Sequence, residues 1–473
     1  MPTVQMPDQF CIYLNYSGFF IAKKNDFTHE QAALTMKKIF TTWFPLMGSW
    51  LMMSLELPVI NAIIARLANP DINLAAYGGV VYPIALTIEA PVIMMLAAST
   101  AMSKDWKSYQ RLKKITLIMG GILSILHFIV AITPIYDWIV TILLGAPQAV
   151  IEPARQGLLL LSPWTLAIAY RRFQQGAMIR FNRSHMVSEI TLVRLITVAA
   201  VLSGGLFLKT IPGATLAGLA QGVGVSAEAI FAGLRARKIR FEIESASTTK
   251  TPLSMKRFIR FYIPLAATSS LWLLWQPLIS AAVSRMPNPL ESLAIWSVLT
   301  GLLFIFRSPG VAYNEAVVAL LDESRSFIAL RKFAHLAAAV VCILAIGFVV
   351  TPLSDFWFST IASLTQEKAL IARIAISLGI PLTFLQMYIS LFQGIIVSKE
   401  KTGPVAEAVV LFLVSMLTVL VIGVVTAAYK GVYVAVASFT IAHISQVLWL
   451  LIRSRKNRKL LAEQQLESCV EAG

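Results

Sequence analysis

The segment PLMGSWLMMSLELPVINAIIARLANP, residues 45–70, is followed 219 positions later by PLAATSSLWLLWQPLISAAVSRMPNP, residues 264–289. The two segments share three prolines, an arginine and an asparagine at equivalent positions. One residue is then lost, and polar residues continue to match at an offset of 218: Asp137 with Asp355, Arg155 with Arg373, Gln175 with Gln393, and Glu189 with Glu407. In so apolar a chain, prolines and charged residues would not repeat at a constant offset by chance. The chain therefore contains a long internal repeat, which in membrane proteins is typical of transporters that bind substrate between the halves.

Composition predicts a membrane protein. Of the 473 residues, 57% are hydrophobic and only 14% are charged. Because lipid offers no partner for unpaired backbone groups, apolar stretches that cross a core of ~30 Å are expected to be helices. There are twelve such stretches, six in each repeat: 39–65, 73–100, 115–135, 155–179, 186–208, 213–234, 258–284, 291–320, 333–352, 371–397, 404–428 and 431–452. They are numbered below as spans 1 to 12, and the predicted class is an all-α integral membrane protein.

The net charge of +16 is concentrated on one side of the predicted membrane. Basic residues follow even-numbered spans or precede odd-numbered ones, and include Lys113, Lys114, Arg171, Arg172, Arg235, Arg237, Lys238, Arg331, Lys332, Arg453 and Arg455. The positive-inside rule then puts both termini in the cytoplasm, with the protein integral to the cytoplasmic (plasma) membrane. Such charge contacts anionic lipid, and no nucleic-acid partner is expected.

An even number of spans per half gives both halves the same orientation. The repeat therefore predicts two parallel six-helix lobes around a central cleft. The expected organisation is a cytoplasmic N-terminal segment (1–35), an N-lobe (36–235), a polar cytoplasmic linker (236–256), a C-lobe (257–453) and a cytoplasmic tail (454–473). The cysteines at 11, 342 and 469 have no metal spacing and are expected to be free thiols, and no signal peptide is expected.

Ionisable residues inside the spans are the candidate functional residues. A charged side chain at mid-bilayer costs ~2.5–3.5 kcal/mol on insertion scales, so it normally faces a partner or a wet cavity. The candidates are Glu56 in span 1, Glu89 in span 2, Arg194 in span 5, and Arg307 and Glu315 in span 8. Glu89 and Arg307 are repeat equivalents of opposite charge, so they are expected either to gate or bind substrate across the cleft or to form a purely structural ion pair.

Position within the spans gives one further pair of alternatives and one further expectation. Glu315 is a proton carrier or a helix cap, and these alternatives stay open. Arg155 and Arg373 begin spans 4 and 10, where long cationic side chains are expected to extend toward lipid headgroups.

Prolines interrupt the same helices that carry the charges. Each proline removes a helix hydrogen bond and bends its helix, which is tolerated where neighbours or a cavity satisfy the freed carbonyl. Pro58, Pro91, Pro277 and Pro309 lie in spans 1, 2, 7 and 8. These four spans are therefore expected to line the cleft and to contain the moving elements.

Several kinds of chemistry have no motif in this chain. The sequence lacks a phosphate-binding glycine loop with lysine, a zinc-binding H-E-x-x-H motif, a paired C-x-x-C motif and a nucleophile elbow. We therefore expect neither an enzyme nor a cofactor or metal centre. Transport without an ATP-binding element would be gradient-driven or passive.

The pattern of spans and motifs resembles a known superfamily. Twelve spans in two parallel halves, each starting with a PL…P…R helix, look like the multidrug/oligosaccharidyl-lipid/polysaccharide (MOP) exporters, which include multidrug and toxin extruders (MATE). Gln276-Pro277-Leu278 in span 7 and Arg307-Ser308-Pro309-Gly310 with Asn314-Glu315 in span 8 resemble progressive ankylosis proteins, with Arg307 where a histidine is expected. The resemblance implies export of anionic metabolites such as pyrophosphate, nucleotides or citrate.

The sequence thus predicts a monomeric exporter of small organic or phosphate-containing anions that works by alternating access. Its predicted substrate residues are Glu89, Arg194, Arg307, Asn314 and Glu315. Glu56 and Glu89 are the candidates for coupling to H⁺ or Na⁺. One alternative is a cation-coupled multidrug extruder, which the acidic residues Glu56, Glu89 and Glu315 would suit. Another is a lipid-linked oligosaccharide flippase, for which Arg194 and Arg307 would supply a basic cleft.

Overall fold

The computed structural model describes residues 10–12, 21–23, 34–181, 183, 185–246, 253–321, 326–397, 403–458 and 460–461. Most of the predicted N-terminal segment and tail, and part of the predicted linker, lie outside these residues. Within them, a short antiparallel strand pair, Phe10–Ile12 with Ile21–Lys23, precedes a series of long helices.

Eleven of the described helical segments are long and apolar enough to cross a membrane. They are span 1 (Met36–Ile64), span 2 (Pro70–Met102), span 3 (Trp106–Ile132), span 5 (Met186–Leu208), span 6 (Gly213–Ser245), span 7 (Met255–Val283), span 8 (Pro289–Leu320), span 9 (Ser326–Val350), span 10 (Gln366–Val397), span 11 (Gly403–Thr426) and span 12 (Gly431–Arg453). Span 4 lies between spans 3 and 5 as two helices, Gln148–Leu160 and Trp164–Arg180. Its Glu152 and four arginines make it more polar than the others.

Some helices begin before the apolar stretch that predicted them. Span 3 was expected from residue 115 but begins at Trp106, where the Asp105 carboxylate accepts a hydrogen bond from the Ser108 amide at 2.8 Å. This cap satisfies one of the free amides at the helix end. Spans 4 and 9 likewise begin at Gln148 and Ser326, not at 155 and 333. The prediction was wrong there because hydropathy marks the lipid-crossing part of a helix, whereas the helix itself continues through polar turns.

The two halves have the same backbone irregularities. Residues with positive φ occur in pairs related by the repeat: Asn69 with Asn288, Gly145 with Ser363, and Lys209 with Ala427. Single π-turns also recur, at Trp138–Leu143 and Phe356–Ile361. The left-handed conformation costs a residue other than glycine ~1–2 kcal/mol. Because both halves adopt this costly conformation at the same places, the sequence repeat is also a structural repeat.

Span 2 is one residue longer than its repeat equivalent, span 8. Span 8 is one continuous helix, Pro289–Leu320, whereas span 2 is interrupted by a π-turn at Tyr77–Val81. A π-turn accommodates one inserted residue in an α-helix. The insertion accounts for the change in repeat offset from 219 to 218 between Pro70 and Pro91.

The lobes contact each other through the spans that carry the prolines. Span 1 packs along span 8, and span 7 packs against span 2. At Gly78 a Cβ atom would lie 2.1 Å from Ser297 Oγ, so spans 2 and 8 approach most closely where span 2 has no side chain.

Candidate functional site

The N-lobe encloses a network of buried ion pairs. Arg194 of span 5 lies with Nη2 2.8 Å from Glu56 Oε2 and with Nη1 3.6 Å from Glu228 Oε2. Glu228 of span 6 also pairs through Oε1 with Arg171 Nη1 of span 4 at 2.9 Å. All four side chains are less than one-tenth exposed. Four spans are therefore joined by alternating charges, which offsets the cost of burying each one.

Glu89 lies in the same lobe with a different partner. Its carboxylate is 4% exposed and accepts a hydrogen bond from Trp164 Nε1, at the start of the second helix of span 4. The residue follows the π-turn of span 2 and immediately precedes a 3-10 turn at Ala90–Val92. Glu89 is thus held toward the lobe interior at an irregular part of its helix.

The C-lobe holds Arg307 in a polar and aromatic pocket. Its Nη2 donates to Gln386 Oε1 at 2.7 Å and lies 2.8 Å from His443 Nε2, and its Cζ is 5.1 Å from the centre of the Phe439 ring. Since a guanidinium only donates, Nε2 must accept and the imidazole proton resides on Nδ1. His443 Nδ1 then donates to the Phe439 carbonyl at 2.8 Å. Arg307 is therefore oriented by two neutral groups.

Repeat-equivalent positions show how the two lobe interiors differ. At an offset of 219 for the first span and 218 for later ones, Glu56 corresponds to Trp275, Arg194 to Phe412 and Glu228 to Gln446. Trp275 and Phe412 pack on Phe439 with ring centres 4.6 Å and 5.8 Å away. The N-lobe interior is consequently ionic, and the C-lobe interior is aromatic with one buried arginine.

Asn314 and Glu315 lie on span 8 beyond Pro309. Asn314 Nδ2 donates to the Ser390 carbonyl at 3.1 Å within the C-lobe. Glu315 Oε1 accepts from Trp50 Nε1 of span 1 at 3.0 Å, which links the two lobes. Span 8 continues to Leu320 after this residue. Glu315 is therefore a buried inter-lobe acceptor inside the helix and not a terminal cap.

The carbonyls of two span prolines accept hydrogen bonds from the opposite lobe. Trp43 Nε1 of span 1 donates to the Pro309 carbonyl at 2.9 Å, and Tyr262 Oη of span 7 donates to the Pro91 carbonyl at 2.6 Å. Trp43 and Tyr262 are repeat equivalents, as are the two prolines. The same inter-lobe bond is therefore made twice, once in each direction.

Pro58 and Pro277 act on the first span of each lobe. Spans 1 and 7 each divide into two helices, with the junction at Leu55 and Leu274, three residues before the proline. A proline ring clashes with the carbonyl of the preceding helical turn, so the helix is expected to break within that turn. The junctions at Leu55 and Leu274 lie there.

Two arginines connect the lobes at the end expected to face outward. Arg66, at the end of span 1, donates from Nη1 to the Ile361 carbonyl and from Nη2 to the Thr360 carbonyl, both at 2.7 Å. Arg285, at the end of span 7, donates from Nη2 to the Ile142 carbonyl at 2.6 Å and from Nη1 to the Leu144 carbonyl at 3.0 Å. Each arginine thus caps the carbonyl end of the π-turn in the other lobe, and we call the two contacts the arginine latches.

Arg155 and Arg373 each have protein partners within their own lobe. Arg155 Nη2 pairs with Asp137, and its guanidinium lies 4.5 Å over the Tyr136 ring. Arg373 Nε donates to the Val349 carbonyl at 3.0 Å and Nη1 lies 3.4 Å from Asp355. Each arginine therefore has a carboxylate partner in the preceding connection of its own lobe, and contact with lipid headgroups stays a prediction.

The structure brings together Glu56 and Arg194, but it does not place Glu89 against Arg307 in this conformation. Each of those two residues has polar partners inside its own lobe. Sequence reasoning missed Glu228 and Gln386, and assigned Arg171 to a cytoplasmic cluster. Glu228 could have been recognised as an acidic residue inside span 6. Arg171 could have been recognised by its position inside span 4. No group of three His, Cys, Asp or Glu side chains among the described residues could hold a metal ion.

Neither a family model nor a curated protein sequence matches this chain. Solved structures nevertheless have its fold. An inward-facing multidrug resistance transporter of the MATE family in the MOP superfamily aligns with a TM-score of 0.71 at 12% identity, covering 89% of this chain and 99% of that one. The lipid II flippase MurJ, inward closed, gives 0.65 at 16% identity and covers 89% and 91%. An outward-facing MATE-family transporter gives 0.58 at 14% identity and covers 90% and 97%.

These likenesses confirm the predicted fold class. The chain has the MATE-like fold of the MOP superfamily, all-α and integral to a membrane. Of the structures compared above, two are described as multidrug resistance transporters and one as a lipid II flippase.

Proposed function

We propose that this protein is a secondary transporter that exports small organic or phosphate-containing anions by alternating access. The observation that carries the proposal is Arg307, a buried arginine inside the C-lobe of a MOP-type fold, held by an amide and an imidazole. Both partners are neutral groups that an anionic ligand would displace. Arginine suits carboxylates and phosphates because its planar fork donates two parallel hydrogen bonds.

Energetics supports an anion at this position. Burying a guanidinium is costly, and hydrogen bonds to neutral acceptors offset only part of that cost. The Phe439 ring, 5.1 Å from Arg307 Cζ, adds cation–π attraction of ~0.5–2 kcal/mol. The guanidinium would attract a bound anion and repel a bound cation, so the pocket favours an anionic over a cationic ligand.

The N-lobe network is the proposed site of ion coupling. Among the described residues, Glu56 Oε1, Gln221 Oε1 and Tyr77 Oη are buried oxygen atoms without a hydrogen-bond partner. Unpaired buried acceptors are costly and favour uptake of a proton or a small cation. Arrival of H⁺ or Na⁺ at Glu56 would weaken its pair with Arg194 and thereby loosen the contact between spans 1 and 5.

The arginine latches are the proposed outer gate. Both latches lie at the same end of the bundle, and both arginines are solvent-exposed. Cations at exposed helix C-termini stabilise by ~0.3–1 kcal/mol, rising to ~2 kcal/mol in partly buried geometry. Two latches of this size bias the lobes toward outer closure without preventing them from opening.

The decisive experiment measures flux in proteoliposomes that contain equal amounts of folded protein. The substrates are a panel of organic and phosphate-containing anions, cationic dyes and a lipid-linked sugar. Replacing Arg307→Ala should reduce anion flux at least tenfold, because a hydrogen bond to a charged group contributes ~1.5–3 kcal/mol. Lys332→Ala, which removes an exposed cation from the same lobe, should leave flux unchanged. Equal anion flux in wild type and Arg307→Ala would exclude Arg307 from the site.

Cation-coupled multidrug efflux is a second candidate function. The aromatic cluster of Trp275, Phe412 and Phe439 provides stacking surfaces, and the N-lobe supplies carboxylates. This function predicts transport of dyes and not of anions, with flux that survives Arg307→Ala and is lost in Glu89→Gln. An oligosaccharide flippase would instead move only the lipid-linked sugar of the panel.

A further inference from the structure

A cavity of about 650 Å³ lies away from both lobe interiors, at the end of the N-lobe expected to face the cytoplasm. We call it the span 3 groove. Seven of its lining residues follow one side of span 3 and one comes from the short helix Arg240–Ser245 at the end of span 6: Trp106, Tyr109, Gln110, Lys113, Lys114, Leu117, Ile118 and Arg240. The groove is therefore formed where two elements of one lobe diverge at the membrane surface.

Along the groove, cationic residues are followed by apolar ones, which is the order of headgroup and acyl chains in a phospholipid. Between Trp106 and Ile118 the helix rises ~18 Å, at 1.5 Å per residue. Lys113 and Lys114 lie midway, and Leu117 and Ile118 follow with side chains 41% and 51% exposed. The cationic part is thus at headgroup depth and the apolar part continues toward the hydrocarbon.

The groove has a net positive charge. Arg240 stacks 5.1 Å over the Trp106 ring, and its Nε donates to Glu244 at 2.8 Å. Lys113 Nζ lies 5.9 Å from the centre of the Tyr170 ring. Of the three cations that line the groove, Arg240 therefore has a carboxylate partner on its own helix. Lys113 and Lys114 lie beside an aromatic ring or an open surface.

Aromatic residues fix the groove at the polar end. Trp106 stacks on Tyr109 with ring centres 5.4 Å apart, and Tyr109 Oη donates to Gln174 Oε1 at 2.9 Å. Tryptophan and tyrosine favour the interface between headgroups and hydrocarbon. The stacked Trp106 and Tyr109 rings beside two lysines fit the phosphodiester and glycerol backbone of a lipid better than they fit a protein surface.

We infer that the span 3 groove binds an anionic glycerophospholipid. Its headgroup phosphate would lie between Lys113, Lys114 and Arg240, with the acyl chains along Leu117 and Ile118. Charge complementarity and the adjoining apolar wall are what favour a lipid over a free phosphate, which would use only the cations. This inference does not depend on the transported substrate.

The repeat supplies a matched control for a lipid-binding experiment. Lys113 and Lys114 correspond at an offset of 218 to Arg331 and Lys332 of the C-lobe, which do not line the groove. The variants K113Q/K114Q and R331Q/K332Q therefore remove the same charge from equivalent turns of the two lobes. Purified full-length protein is titrated with phosphatidylglycerol and phosphatidylcholine in detergent, and bound lipid is counted by native mass spectrometry.

Wild type and R331Q/K332Q should retain phosphatidylglycerol in preference to phosphatidylcholine. K113Q/K114Q should bind phosphatidylglycerol about 30-fold more weakly, from the usual contribution of two cations near an anionic surface. Equal retention in the two double variants would overturn the inference, as would equal competition by glycerol phosphate, which would identify a free-phosphate site.

A second readout keeps the test valid if the double lysine variant folds poorly. Brominated phosphatidylglycerol quenches nearby tryptophan, so the difference in quenching between wild type and Trp106→Phe isolates the signal of the groove. Quenching of Trp106 by the anionic and not by the zwitterionic brominated lipid is expected. Identical quenching by both lipids would contradict a headgroup-specific site.

Discussion

Arg194 shows at the scale of one residue how a membrane protein accommodates charge. It lies between Glu56 and Glu228, with a further pair from Glu228 to Arg171. Coulombic attraction in such a site offsets desolvation only when geometry is good and each member keeps its partner. Removing one member leaves a buried charge behind, so the network is expected to be strongly coupled.

Glu56→Gln should destabilise the protein by ~3–5 kcal/mol, because Arg194 would lose its closest carboxylate. The double variant Glu56→Gln with Arg194→Gln should lose less than the sum of the two single variants. Thermal unfolding midpoints in detergent measure all three changes. Glu152→Gln, whose carboxylate lies 3.6 Å from Arg155 and is exposed, is the control and should change stability by less than ~1 kcal/mol.

Sequence identified Glu56, Arg194 and Arg307 as residues in costly positions, but it did not identify their partners. Partner choice depends on which helices are neighbours and how each is rotated. Gln386 and His443 come from spans 10 and 12, 79 and 136 positions away from Arg307 along the chain. No local pattern relates such distant residues.

At the scale of the element, kinks and π-turns provide the contacts between lobes. The breaks at Leu55 and Leu274 were anticipated from prolines in apolar spans, whereas the hydrogen bonds to the Pro91 and Pro309 carbonyls were not. The π-turns at Trp138–Leu143 and Phe356–Ile361 had no signal in the sequence apart from the repeat itself. Their carbonyl ends need donors, and the arginines from the opposite lobe provide them.

Replacing both latch arginines, Arg66→Gln and Arg285→Gln, should shift the lobes toward an outer-open arrangement. Loss of ~1 kcal/mol at each latch changes the ratio of closed to open forms about 30-fold in total. Spin labels at Thr210→Cys and Ala428→Cys, in a background without Cys11, Cys342 and Cys469, should report a larger population of long distances.

Arg373→Gln is the matched control for the latch experiment, because its guanidinium bonds a carbonyl within its own lobe. Its distance distribution should equal that of wild type. A latch double variant that also gives the wild-type distribution would show that the arginines do not hold the outer end closed.

Gly78→Ala tests the close contact between spans 2 and 8. The added methyl would lie 2.1 Å from Ser297 Oγ and 2.9 Å from Ser297 Cα, so the helices must move apart at a cost of ~1–3 kcal/mol. Gly121→Ala in span 3 has no atom within 4 Å of the new Cβ and should be neutral or stabilise by up to ~1 kcal/mol. Equal melting temperatures for the two variants would contradict the close approach.

At the scale of the whole molecule, two copies of one fold contain different chemistry. The N-lobe is ionic and the C-lobe is aromatic around Arg307, although positive-φ residues, π-turns and latches coincide under the repeat. Backbone symmetry lets the lobes move as similar rigid bodies. In the proposed function, this side-chain asymmetry would let one lobe bind a coupling ion and the other bind a substrate.

Parallel lobes predict that equivalent loops of the two halves face the same side. Single cysteines at Thr210 and Ala428 in intact cells should both react with a membrane-impermeant maleimide, whereas a cysteine at Lys238 should react only after lysis. The physical reason is the asymmetry of cations between connecting loops. Labelling of Thr210 and Ala428 from opposite sides would show that the halves are inverted.

Hydrophobicity, proline positions and the repeat determined from the sequence alone that this chain is a two-lobed helical membrane protein. Those features act locally: an apolar segment must be helical in lipid, and a proline must bend it. The partners of Arg194 and Arg307, the arginine latches and the span 3 groove were decided only by tertiary structure. Each depends on side chains from separate helices, and packing sets the distances between them.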